Sequence, residues 1–124
     1  MKKIVQLFML IGLGLTLNSC YYNKFPIVDP NPPAVDISFA TEIQPIFNNN
    51  CVACHAGALV PDLRSDNAYA AITSGGFIVA NDLATSKLYQ RLVGNGNIMP
   101  PSGALSTTNI NLVKNWILQG AKNN

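Results

Sequence analysis

The chain has 124 residues, enough for one domain of ordinary size rather than two. Eight Lys and Arg stand against six Asp and Glu, a formal charge of +2, and there is one histidine. Lys2 and Lys3 supply that excess, so the rest of the chain is neutral and lacks the basic footprint of a nucleic-acid binder; no nucleic-acid partner is expected.

Met1-Lys2-Lys3 is a short basic start, and Ile4 to Leu17 is mostly apolar. At about 14 residues this run is short of the ~20 that a membrane span needs. It fits the apolar region of a secretory signal instead. The run ends at Leu17-Asn18-Ser19-Cys20, which resembles a bacterial lipobox. That resemblance implies lipidation of Cys20, with residues 1–19 as a lipoprotein signal peptide. An ordinary signal with a chance cysteine is the alternative. The expected location is outside the cytoplasm, with the N-terminal lipid anchored in a bacterial membrane, on the periplasmic side or in the outer membrane.

Residues 20–36 carry Pro26, Pro30, Pro32 and Pro33. Proline fixes φ and removes donors, so a stiff tether is expected there rather than a helix. A loop docked through Phe25 and Ile27 is the alternative. The globular domain is then 37–124, about 88 residues with a small core for its surface.

Ser38 to Asn50 reads as the first helix. Ser38 can cap it, Glu42 suits its first turns, and Phe39, Ile43, Ile46 and Phe47 mark one apolar face. Pro45 removes a backbone bond and should kink or shorten it. Next comes Cys51-Val52-Ala53-Cys54-His55, the C-x-x-C-H run of covalent c-type haem attachment. Each thiol can form a thioether to one porphyrin vinyl group, and the imidazole of His55 can face the iron. Three other readings of the cysteines stay open. A thioredoxin-like redox pair needs a preceding strand and a βαβ frame, zinc needs about four ligands, and a plain disulfide needs only an oxidising compartment. Three cysteines would leave one over in an exported protein; placing lipid on Cys20 and haem on Cys51 and Cys54 leaves none.

Further along, Ser65 or Asp66 to Ile72 reads as a short helix with Leu63, Ala68, Tyr69 and Ile72 inward. Thr73 to Gly76 is a turn, Phe77-Ile78-Val79 a brief strand, and Ser86 to Leu92 another helix. Gly94 to Gly103 is too rich in Gly and Pro for regular structure. A last helix runs from an N-cap at Ser106 to Gln119, with Ile110, Val113, Trp116 and Ile117 as its stripe and Gly120 just past its end.

His55 is the only histidine, so a second axial imidazole is impossible within one chain. Past the signal segment Met99 is the only methionine, and it sits in the Gly/Pro loop before Pro100-Pro101. Pro100 biases it towards an extended conformation, and the stiff loop suits a weak thioether ligand. A gap-filling core role is the alternative for Met99. Lys87, Lys114, Tyr89 or an open position are the alternatives for the iron.

The first helix, Cys51-Val52-Ala53-Cys54-His55, Ile98-Met99-Pro100-Pro101 and Trp116-Ile117-Leu118-Gln119-Gly120-Ala121 together resemble a class I c-type cytochrome. The chain is similar to the small mono-haem cytochrome c domains of lipoproteins in Bacteroidetes-like bacteria, over about residues 38–121. The resemblance implies an all-α, cytochrome c-like fold of three to five short helices around one haem c. It also implies that the first and last helices cross, with Ile43 and Phe47 meeting Val113, Trp116 or Ile117. The expected function is one-electron transfer between unnamed redox partner proteins, with His55 and Met99 on the iron and no enzymatic role. A haem enzyme or a gas or redox sensor with a labile distal ligand is the alternative. Arg64, Arg91, Tyr89 and Trp116 are candidate neighbours of the haem propionates.

Overall fold

The structure, a computed structural model, describes residues 35–124. The signal segment, Cys20 and nearly all of the tether lie outside the described residues. Among those described, four short α-helices form and no strand does: α1, Gln44–Asn50; α2, Ala68–Ser74; α3, Lys87–Leu92; and α4, Thr107–Leu118. A π-helical turn, Phe39–Ile43, leads directly into α1. The architecture is all-α and consistent with a cytochrome c-like fold. No described helix is long and apolar enough to cross a membrane.

The expected first helix is therefore two pieces, and Pro45 explains the junction. Without an N–H, Pro45 can donate to no preceding carbonyl. The chain accommodates it by widening the turn before it, where Gln44 N–H donates to the Phe39 carbonyl, and Pro45 then sits in the first turn of α1. Ser38 caps the widened turn. Its hydroxyl accepts from Thr41 N–H at 3.3 Å, and the Glu42 carboxylate accepts from Ser38 N–H at 2.8 Å. This is the reciprocal logic of a capping box, with the acid one residue late. Asn124 satisfies the remaining donors: its side-chain oxygen accepts from Phe39 N–H and its carbonyl from Ala40 N–H, at 2.9 and 3.0 Å.

The π turn packs on α4, as the crossing of first and last helices requires. Phe39 carries the contact. Its ring lies 5.4 Å from Trp116, 5.3 Å from Tyr69 and 6.1 Å from Phe47. Ile43, Phe47, Val113, Trp116 and Ile117 share one buried core with it. Helix α4 closes where Gly120 was expected to close it. Gly120 has φ +97° and its N–H donates to the Ile117 carbonyl at 3.1 Å; Ala121 N–H reaches the Trp116 carbonyl at 2.9 Å, which completes a Schellman motif.

The brief strand expected at Phe77–Val79 does not form. Val79 makes one isolated bridge with Asp82. The chain reverses at Asn81, which takes φ +62°, and buried Ser86 replaces a ladder partner. The Ser86 hydroxyl accepts from Val79 N–H at 2.9 Å and donates to the Asp82 carbonyl at 2.6 Å. Two neighbouring helices also shift. Helix α2 starts at Ala68 and takes in Thr73 and Ser74 of the expected turn, while α3 begins one residue after Ser86.

Candidate haem-binding site

Helix α1 ends at Asn50, and the chain turns through Cys51 and Cys54 to His55. Cys51 N–H donates to the Phe47 carbonyl and His55 N–H to the Cys51 carbonyl, at 2.8 and 2.9 Å, so the motif is one continuous turn. That turn forms one wall of a cavity of about 440 Å³. Ile46 and Phe47 of α1 extend this wall, and Leu59, Val60, Pro61 and Leu63 continue it. Phe77, Lys87, Leu88, Arg91 and Leu92 come from α3 and the segment before it, and the Met99-Pro100-Pro101 loop and Leu105 complete the cavity. Cys51, Cys54, His55 and Met99 therefore line one space, although Met99 is distant from the other three in sequence. Cys20 lies outside the described residues.

His55 is oriented by a main-chain group. Its Nδ1 lies 3.1 Å from the Pro61 carbonyl oxygen. A carbonyl can only accept, so Nδ1 carries the proton and Nε2 keeps its lone pair for a metal. The loop that supplies this carbonyl is itself held. Leu63 N–H donates to the His55 carbonyl at 2.8 Å, and buried Gln44 donates its side-chain amide to the Leu63 carbonyl at 3.0 Å.

Cys51 and Cys54 are free thiols. Burial pushes the Cys51 thiol up to about 11. That is opposite to the depressed value of a redox-active cysteine. With no strand or βαβ frame among the described residues, a thioredoxin-like pair finds no support. Among the described residues no three His, Cys, Asp or Glu side chains are placed to hold one metal ion between them.

The lining suits a haem. Its walls are largely apolar, as a macrocycle requires, and its volume lies in the range of cofactor pockets. Two thiols and one oriented imidazole meet at one wall, a thioether sulfur lies in another segment, and two cations, Lys87 and Arg91, suit anionic carboxylates.

Three expectations about neighbours need correction. Arg64 does not line the cavity. Its guanidinium forks onto Asp62, Nε to Oδ1 at 3.0 Å and Nη2 to Oδ2 at 2.6 Å. Those hydrogen bonds hold the Asp62 carboxyl well below the usual carboxylate range. Trp116 is fully buried in the core, and its indole N–H donates to the Lys122 carbonyl at 2.9 Å. Tyr89 does not line the cavity either, leaving Arg91 of the four candidates. Among the alternative iron ligands, Lys87 lines the cavity and Lys114 and Tyr89 do not.

The acceptor for His55 was not legible in the sequence. Every residue has a carbonyl, so nothing in residue type marks Pro61 for that role. Leu105 escaped notice for a similar reason, as a single leucine in a loop.

The model of the family described as Planctomycete cytochrome C matches residues 51–103. The match begins on Cys51 and ends just past the Met99-Pro100-Pro101 loop, so it spans most of the chain that builds the cavity. It supports a cytochrome c-type domain, and hence haem binding and electron transfer. No curated protein and no solved structure matches the chain.

Proposed function

We propose that the chain is a mono-haem c-type cytochrome, a membrane-tethered one-electron carrier with His55 and Met99 on the iron. The observation that carries this is the convergence of Cys51, Cys54, His55 and Met99 on one apolar cavity. Cys51 and Cys54 would hold haem c through thioethers, and His55 and Met99 would be its axial ligands. Bound there, the haem supplies reversible one-electron chemistry.

The chain's own residues determine how that chemistry is used. The Pro61 carbonyl keeps the His55 ring in the tautomer that presents Nε2. The apolar walls limit water and disfavour extra positive charge, which together with thioether ligation favours the reduced state. With His55 and Met99 both holding the iron, no position would remain there for a substrate. The class I likeness and the lipobox-like Cys20 support a tethered carrier, passing electrons between partner proteins outside the cytoplasm.

One observation favours a second reading. Met99 is 36% exposed, in a loop outside any helix. A ligand that leaves readily would open the iron to small molecules, as in a haem enzyme or a gas sensor. The visible spectrum of the haem-loaded protein, oxidised and reduced, with and without CO, separates the two. Sharp low-spin bands, a weak far-red sulfur-to-iron band and no reaction with CO are expected. The Met99→Ala variant should lose the far-red band and bind CO. A wild type that is high-spin and binds CO at once would overturn the closed-site reading.

A further inference from the structure

Arg91 is exposed on the last turn of α3, where an arginine is ordinarily just solvated, yet the Gly94–Met99 loop is folded around it. Its main-chain carbonyl accepts from Met99 N–H at 3.1 Å. Its Nη1 donates to the Asn97 carbonyl at 3.4 Å. The Nη1 end of the guanidinium comes close over Gly96: a Cβ placed there would be 2.5 Å from Nη1 and 3.3 Å from Cζ. Gly96 also has φ +93°, so glycine meets both the backbone conformation and the close approach at this position. The neighbouring residue Gln90 holds the loop's other end, its carbonyl accepting from Asn95 N–H at 2.9 Å. Arg91 also lines the cavity beside Met99.

We propose that Arg91 is a positioning residue for Met99: its carbonyl and its guanidinium together latch the Gly94–Met99 loop so that the thioether is presented to the cavity. The main-chain half of the latch survives any substitution at Arg91. The side-chain half does not, because the Nη1 donor to the Asn97 carbonyl and the close contact over Gly96 both belong to the rigid guanidinium. Freed of it, the loop explores more conformations, and the weak thioether bond competes less well with outside ligands.

This inference rests on the proposed ligation by Met99. The test is titration of the oxidised, haem-loaded protein with imidazole, followed through the far-red band, for wild type, Met99→Ala, Arg91→Ala and Arg91→Lys. Arg91 also lines the cavity, so haem content and far-UV circular dichroism are recorded for each variant and imidazole affinity is compared per haem bound. Both Arg91 variants should take up imidazole about fivefold more tightly than wild type, the effect of losing roughly one hydrogen bond from the closed loop. Lysine keeps the charge but not the fork, so recovery of wild-type affinity in Arg91→Lys would show a role for charge alone and overturn the latch. Unchanged imidazole affinity in Arg91→Ala would overturn it too. A wild type without the far-red band, or one indistinguishable from Met99→Ala, would fail the ligation reading itself and take this inference down with it.

Discussion

Replacing Phe39 with alanine should remove a large part of the domain's stability without touching the site. Phe39 is 4% exposed and sits where the π turn meets α4, with three aromatic rings within 6.1 Å. Truncating a buried phenylalanine costs about 3–5 kcal/mol, from lost transfer energy and the cavity left behind. A domain of about 90 residues has roughly 5–13 kcal/mol in total. The loss is therefore about a quarter or more of the margin, and the melting temperature should fall by roughly 12 °C or more. Phe39→Leu keeps most of the bulk and loses the edge-to-face geometry, so it should cost about 1–2 kcal/mol. Denaturant unfolding of the haem-loaded protein, followed by far-UV circular dichroism, measures both. Phe39 does not line the cavity, so the visible spectrum of either folded variant should match wild type. A cost below about 1 kcal/mol for Phe39→Ala, within the range of an ordinary substitution, would refute the view that this ring joins the first and last helical segments.

Ser86→Ala should cost about 2 kcal/mol, because it leaves the Val79 N–H without its partner beside a fully buried residue; equilibrium unfolding checks it, and a neutral result would mean water reaches that amide. Acid stability follows from Asp62 and Asp82. Arg64 holds the first carboxyl below its ordinary value, and hydrogen bonds from Thr85 lower the second. A carboxyl lowered in the folded state stabilises it above the unfolded value, about pH 4, and that contribution is lost as pH falls through the folded value. Stability should therefore decline from about pH 4 downward, and Asp62→Asn should flatten the decline in a series of thermal melts; an unchanged pH slope would remove Asp62 from this role.

Much of the fold was legible because local chemistry and tertiary structure agree. Ser38 and Ser106 both cap as their residue type suggests, with Asn109 N–H donating to the Ser106 hydroxyl at 3.2 Å. The apolar spacing of Val113, Trp116 and Ile117 places all three in the core. The errors came where a polar group was already engaged by a partner a few residues away. Ser86 stands at the N-cap position of α3, but its hydroxyl is committed to Val79 and Asp82, and the expected strand became a reversal. Trp116 looked free to bind a propionate, but its N–H is taken by Lys122. Arg64 was engaged by a neighbour two residues away, close enough in sequence that the pairing with Asp62 could have been weighed.

By itself, the sequence determined the chemistry that can occur here: two thiols and an imidazole at one fixed spacing, one further histidine-free stretch with a single methionine, and helices written in short apolar periods. It did so because motif spacing and amphipathic period act over a few residues. Only the tertiary structure decided that Met99 joins the haem motif at one cavity and that the Pro61 carbonyl orients His55. It also decided which arginine faces that cavity. Those outcomes depend on how segments far apart in the chain pack, and a main-chain carbonyl or an exposed arginine has no residue-type signal until its partner is in place.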